Sequence, residues 1–514
     1  VDAQVGVIGH SLKSGAERHS SFAKVLLILI AVTLFTRVGE INNPLTHVDD
    51  QFYLFTGKAM LNGELPYVDV WDRKPIGLFL IYAGIAALGG DSVIVYHLVG
   101  AAAALATAIA IYFLARRFVS SAGALRAGIV YLAILPTMGG GGGQSPVFYN
   151  LLIGIAALLA FDSFVRGKSV WPRAIAAMAL VGIAIQIKPT TLFEGAFFAL
   201  LFLVAQWRAE KTFAGVAALA VAMALTAGAP TAIAFAAYGI LGHADAMWFA
   251  TVVSIFMRTP LTWAERVGDF PQMALYLTVP ALVTLSALAT QFARGARPVT
   301  IFLAGWALAA IVGFLSVPNF FNHYTLPLIL PMSVIMAIAL ADKREGLILA
   351  TMVAAVPILI EAPNPYGILH NREGFDRTAA LVRKELDGRC LYVFYGPTQL
   401  YTAANACHLS PYVFPDHLET EVESTALPVV PEAEVERIFA QRPGVVVTGH
   451  RKFLARNNRT TAIVERHLWC DYEVKHRIPA SRGKTLDIWT LKPGPKGGCI
   501  GTPTPLGLIQ SVSN

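Results

Sequence analysis

Residues 40–75 read EINNPLTHVDDQFYLFTGKAMLNGELPYVDVWDRKP. This polar stretch directly follows the first long apolar run of a chain that is otherwise mostly apolar. It carries an adjacent acid pair, Asp49-Asp50, and then a charged cluster, Asp72-Arg73-Lys74-Pro75. Charges set at the edge of a bilayer are costly unless they act on something. The stretch therefore reads as an interfacial loop with chemical work to do, and what surrounds it decides the fold.

The surroundings are membrane-like. The 514 residues are 55% hydrophobic and 14% charged, with a mean hydropathy of +0.57, too apolar for an ordinary soluble enzyme of this length. Uncharged runs such as Val25–Thr36, Val93–Ala115 and Leu347–Ile360 recur, several close to the roughly 20 residues that cross a bilayer core. The net charge of +7 is not a nucleic-acid signature. The basic residues sit in short clusters between apolar runs: Arg116-Arg117 with Arg126, Arg166 with Lys168 and Arg173, Arg208 with Lys211, Arg294 with Arg297, and Lys343-Arg344. Loops of that kind are cytoplasmic by the positive-inside rule. The tail 1–21 joins them, and the first apolar segment lacks the cleavage signature of a removable signal peptide.

With those loops inside, about eleven spans are expected at 22–38, 92–115, 122–138, 147–165, 174–187, 190–207, 212–236, 271–292, 299–316, 325–341 and 346–361. The class is mainly α, a polytopic membrane protein, with an N-terminus inside and a C-terminus outside. The transmembrane domain covers 22–361, its first outer loop 39–91. Ile76–Gly89 is too short for a span and reads as a juxtamembrane or re-entrant helix. Asp50–Asn62 reads as an amphipathic helix on the membrane surface, stopped by Gly63. From 362 to 514 the pattern changes to a soluble extracytoplasmic α/β domain. Helical patterning covers Phe375–Leu386 and Pro431–Arg442; strands are expected at Cys390–Tyr395, Val445–Thr448, Tyr472–Ile478 and Thr485–Leu491. No glycine-rich phosphate loop joins a strand to a helix there. All four cysteines fall in this domain, where an oxidising exterior permits disulfides; Cys390–Cys407 with Cys470–Cys499 is the favoured pairing of the three available.

The acid pair has three readings. Thr46-His47-Val48-Asp49 fits a helix-capping pattern. His47 with the acids could hold a divalent cation, although the spacing matches no recognised metal motif. Third, an aspartate at the surface could serve as a general base for a hydroxyl. Arg73-Lys74, a short way downstream, reads either as a snorkelling pair or as a clamp for a phosphate at headgroup depth. A base and a phosphate clamp in one loop suit transfer from a lipid phosphate, because fixed positive charge stabilises the anionic leaving group.

Asp49-Asp50-Gln51-Phe52-Tyr53, then Gly63-Glu64, then Arg73-Lys74-Pro75 running into an apolar helix resembles the first periplasmic loop of the GT-C superfamily of glycosyltransferases. The branch is that of the lipid A aminoarabinose transferases and protein O-mannosyltransferases. The resemblance implies Asp49 as catalytic base with Asp50 beside it, and Lys74 as the lysine that meets the donor phosphate, with Arg73 next to it. It also implies Lys188, in Gln186-Ile187-Lys188-Pro189-Thr190, as a second phosphate ligand, and His323-Tyr324 as residues bordering the donor headgroup. Tyr53, Gln144 and Arg258 are further candidate substrate contacts. The chain departs from the family pattern in three places. Asp50 stands for the usual Glu. Arg73 stands for the Glu of Glu-Lys-Pro, which removes a metal-site acid. The glycine run Gly139–Gly143 lacks the acid some members carry there; it reads as a flexible turn or as a close approach to the donor.

The expected function is therefore an inverting transfer of a monosaccharide from a polyprenyl-phosphate donor to an acceptor hydroxyl on a glycan, glycolipid or protein, on the periplasmic face of a bacterial inner membrane. Membrane lipids are the other partner, and nucleic acid is not one. A transporter or flippase of lipid or glycan is the alternative. It would concentrate its charges near the midplane of repeated halves, whereas these lie in loops.

Overall fold

The computed structural model describes residues 22–89, 92–317, 319–360, 365–449, 454–479 and 485–493. Each of the eleven expected spans falls on a helical stretch. Among the described residues, seven helices are long and apolar enough to cross a bilayer: Val93–Ala115, Ser121–Met138, Ser145–Phe164, Thr191–Glu210, Phe213–Ile240, Trp263–Ala293 and Arg297–Leu315. Helices at 22–37, Trp171–Ile185, Leu326–Met336 and Glu345–Ile360 occupy the other four positions and are shorter. The chain is a multi-pass membrane protein. The tail 1–21 lies outside the described residues.

Burial separates central from peripheral helices. Ser145–Phe164 is 72% buried and Phe213–Ile240 only 11%. A helix apolar all round must be surrounded either by protein or by lipid. Val221, Leu225, Ile233 and Ile240 on the second helix are exposed and form a lipid-facing surface.

The two ends of the bundle differ. At one, short connections carry the basic clusters: Asp162 accepts from Arg117, Arg166 and Lys168 at 3.0 to 3.1 Å, and Arg126 donates to the Leu340 carbonyl. At the other lie the polar stretch 38–92, the glycine run, the turn at Lys188, the connection 241–269 and the turn at His323. The C-terminal domain covers this end.

Two expectations for the polar stretch are corrected. The helix runs Val48–Leu61, with Gly63 beyond it in the left-handed region (φ 91°), but it does not lie on the membrane surface with a wet face. Residues 50–57 are all buried. Gly57 packs so closely on Tyr82 of Ile76–Gly89 that an added Cβ would meet its carbonyl carbon at 2.4 Å. The opposite face is covered by the C-terminal domain, with Phe52 against Phe414 and Phe55 against Tyr401. The helix is a filling between two bodies, so its polar residues had to be buried too. The capping pattern also shifts by one residue: His47 is the N-cap, its Nδ1 accepting the Asp49 N–H at 3.3 Å, while Thr46 Oγ1 donates back to the Asn43 carbonyl.

The C-terminal domain follows its sequence pattern. Helices Pro365–Glu385 and Pro431–Ala440 flank a four-stranded sheet of β1 (Leu391–Val393), β2 (Val445–Gly449), β3 (Tyr472–Pro479) and β4 (Thr485–Leu491), in the order β1-β2-β4-β3. β1 and β2 are parallel, and the other pairings antiparallel. The wholly buried, valine-rich β2 lies inside the sheet, and the mixed β3 is a largely exposed edge, as strand burial requires. Helix Asn458–Asp471 was not anticipated. Cys390 is bonded to Cys407, and the Leu391 N–H bonds the Cys407 carbonyl at the start of β1. Cys499, expected to pair with Cys470, lies outside the described residues.

Candidate functional site

Neighbours on a helix project about 100° apart, and this separates the two aspartates. Asp49 faces a cleft and is about one-fifth exposed (21%). The Gln144 amide donates to its Oδ2 at 3.1 Å and lies 2.6 Å from His47 Nδ1. Asp50 turns inward and has no exposed surface. Its Oδ2 accepts the Gly143 N–H at 2.8 Å, and Oδ1 has no partner among the described residues. Burial pushes the Asp50 carboxyl well above its usual range, against the pull of the Gly143 N–H.

The glycine run is a packed turn rather than a flexible one. An added Cβ would meet Asp50 Oδ2 at 2.2 Å from Gly142 and Tyr82 Oη at 2.2 Å from Gly143. Tyr82 Oη donates to the Gly143 carbonyl at 2.8 Å. Arg37, fully buried at the end of the first helix, donates to the carbonyls of Gly140 and Gly141. The turn thus delivers Gln144 to Asp49.

Cations converge from two other segments. Lys74 Nζ lies 5.6 Å from the Tyr53 ring centre, and Lys188 Nζ sits 4.0 Å over the ring of Tyr324. His323 meets His47 edge to face at 5.4 Å. Burial opposes ionisation of Asp49, but the charges of His47, Lys74 and His323 and the Gln144 bond outweigh it and hold the carboxyl at about 2. Burial, then the neighbouring Lys74, lowers Lys188 to about 7. Burial pushes His47 and His323 below the usual imidazole range. A narrow cleft runs on from Lys188 and Tyr324 between Thr190, Gly313, Phe314 and Pro327.

Of the residues singled out in the sequence, Asp49, Tyr53, Lys74, Gln144, Lys188, His323 and Tyr324 gather in one neighbourhood, of which Lys188 and Tyr324 line this cleft. Arg73 and Arg258 do not: both are committed to Glu423 of the C-terminal domain, Arg258 at 2.8 Å and Arg73 through both terminal nitrogens. His47, Arg37 and Glu423 are additions. His47 was legible only as a neighbour of the acids, and Arg37 as an arginine closing an apolar run. Glu423 lies 350 residues from Arg73, in a stretch without periodicity. Among the described residues no three His, Cys, Asp or Glu side chains form a metal cradle. An ionised acid near two lysines, lined by imidazoles and aromatic rings, can hold a hydroxyl on one side and a phosphate on the other.

Residues 73–233 match the family described as dolichyl-phosphate-mannose-protein mannosyltransferase. The matched range takes in Lys74, Gln144 and Lys188 and starts after the acid pair. No curated protein sequence matches the chain significantly. Among solved structures, ArnT from Cupriavidus metallidurans bound to undecaprenyl phosphate aligns over 92% of this chain and 98% of its own, with 13% identity and a TM-score of 0.58. Its apo form aligns over the same shares with 13% identity and a TM-score of 0.57. An oligosaccharyltransferase from Archaeoglobus fulgidus aligns over 83% of this chain and 69% of its own, with 12% identity and a TM-score of 0.48. The first two carry a likeness of fold over nearly the whole of both chains, soluble domain included. By its fold, this chain is similar to ArnT over nearly its whole length, and residues 73–233 add the family-model match.

Proposed function

We propose that the chain is an integral-membrane inverting glycosyltransferase that moves a monosaccharide from a polyprenyl-phosphate donor to an acceptor hydroxyl. One observation carries the reading: Asp49 and the amines of Lys74 and Lys188 come from three segments to lie close enough to shift one another's ionisation. The fold neighbour crystallised with undecaprenyl phosphate supports a lipid phosphate as the donor's carrier.

The acceptor hydroxyl binds against Asp49, and its oxygen attacks the anomeric carbon from the face opposite the phosphate. The new glycosidic C–O bond forms as the bond from that carbon to the phosphate oxygen breaks. The hydroxyl proton passes to Asp49, and polyprenyl phosphate leaves with the bonding pair, held by Lys74 and Lys188. Donor phosphate also serves the base: by drawing the lysine charge to itself, it removes part of what keeps Asp49 acidic. Asp50 acts by positioning, through the glycine turn. Arg73 and Arg258 act from behind the cleft. The polar end faces the periplasm of a bacterial inner membrane, and the sugar goes to a cell-envelope glycan, glycolipid or protein.

The transporter reading is separated by turnover. In membranes carrying a labelled polyprenyl-phosphate sugar pool, the enzyme converts lipid-linked label into product and releases the lipid phosphate. Label that only crosses the bilayer, chemically unchanged, would favour a flippase.

A further inference from the structure

We propose that Glu423 is a positioning residue of the donor site: from the C-terminal domain it fixes Lys74 by holding Arg73 and Arg258, one from each of two separate loops. The proposal rests on Lys74 being a phosphate ligand.

The carboxylate of Glu423 is buried (3% exposed) in the short turn Glu421–Glu423. Its Oε1 accepts from Arg73 Nη1 at 2.9 Å and from Arg258 Nη2 at 2.8 Å, and Oε2 pairs with the second Arg73 nitrogen. A two-pronged guanidinium–carboxylate pair fixes a plane as well as a distance. Two guanidinium groups on one acid also leave the cluster net positive, and Nε of each arginine has no partner among the described residues. An apolar contact would hold two domains together as well as a buried ion pair does, so mere adhesion does not call for this arrangement.

What the arrangement supplies is direction. The Trp71 N–H bonds the Pro411 carbonyl at 2.9 Å, and His417 meets the Trp71 ring edge-on at 4.7 Å. Arg73 is then held by Glu423, and the Lys74 carbonyl by Tyr67 Oη at 2.8 Å. Trp71, Arg73 and Lys74 are each gripped, and the Lys74 amine is left beside the Tyr53 ring, within electrostatic reach of Asp49. The same turn takes the second loop: the Thr259 N–H bonds the Val422 carbonyl at 3.2 Å, and Thr425 Oγ1 donates to the Met257 carbonyl. A displacement of about 1 Å in such a clamp is enough for a loss on the order of a hundredfold. The competing idea is that Glu423 occupies the arginines in place of a lipid phosphate, and it predicts the opposite sign.

The test is binding of undecaprenyl phosphate to the purified full chain, with hydrogen exchange read over 65–75 and 254–262. Glu423→Gln is expected to weaken binding roughly ten- to a hundredfold and to raise exchange in both loops, leaving Ser145–Phe164 unchanged. Unchanged or tighter binding overturns the proposal. If Glu423→Gln does not fold, Glu423→Asp keeps the charge on a shorter arm and is expected to loosen the same two loops with a smaller loss; wild-type behaviour in it is equally fatal. Lys74→Ala separates the two layers. Where Lys74 matters and Glu423 does not, positioning alone fails. Where wild type ignores the lipid, or Lys74→Ala binds it as well as wild type, the donor-site reading fails and takes this proposal with it.

Discussion

The side-chain amide of Gln144 donates to Asp49 Oδ2 at 3.1 Å across 95 residues of sequence. It joins the turn between two membrane helices to the acid of the preceding polar stretch, and it sets which way the carboxylate faces. Gln144→Leu is therefore expected to lower turnover about tenfold, mainly through kcat, since a hydrogen bond to a charged group contributes from roughly 1.5 kcal/mol upward. Asp49→Asn, which removes the base, should cost on the order of 10² to 10⁴-fold. Steady-state kinetics on both variants distinguishes orienter from base by that gap.

The pH dependence of phosphate binding follows from Lys188. Burial and Lys74 place its amine at about 7 in the empty site. The protonated form is the one that holds an anion, so affinity is steady below that point and falls as pH rises through it, by up to about tenfold per unit. A titration of undecaprenyl phosphate binding between pH 6 and 9 should show this slope, and Lys188→Met should flatten it.

Gly142 is a position where the packed turn leaves no room for a side chain. An added methyl would stand 2.2 Å from the Oδ2 of buried Asp50. Gly142→Ala should destabilise the fold by about 1–3 kcal/mol, seen as a lower melting temperature, and should also displace Gln144. A flexible turn would accept the methyl without change.

The disulfide Cys390–Cys407 closes a loop across a sequence separation of 17. A loop of that size implies a loss of about 3 kcal/mol when it is opened. Cys390→Ser with Cys407→Ser is expected to lower the unfolding temperature of the C-terminal domain. Because that domain covers Val48–Leu61, donor binding should weaken along with it.

The sequence made the helices and the sheet legible because both rest on periodic apolar patterns. It also named most of the cleft, since Asp49, Lys74, Gln144, Lys188 and Tyr324 are polar residues set among apolar runs, and such residues are conspicuous. It misled where burial comes from a distant part of the chain. Val48–Leu61 has a pattern that suits a membrane surface, and nothing local says that the C-terminal domain will cover it. Arg73 reads as a phosphate ligand and Arg258 as a substrate contact for the same reason: their partner Glu423 lies far along the chain. Helix Asn458–Asp471 was missed because its opening, Asn458-Arg459-Thr460-Thr461, has weak helix propensity, and it forms with Asn457 as cap and Val464 and Leu468 buried.

Mass spectrometry of cell-envelope glycans and glycolipids in a deletion strain, complemented with wild type or with Asp49→Asn, puts the central claim at risk most directly. The account predicts a sugar modification that disappears on deletion, returns with wild type and stays absent with Asp49→Asn despite normal protein levels. Full restoration by Asp49→Asn would contradict it.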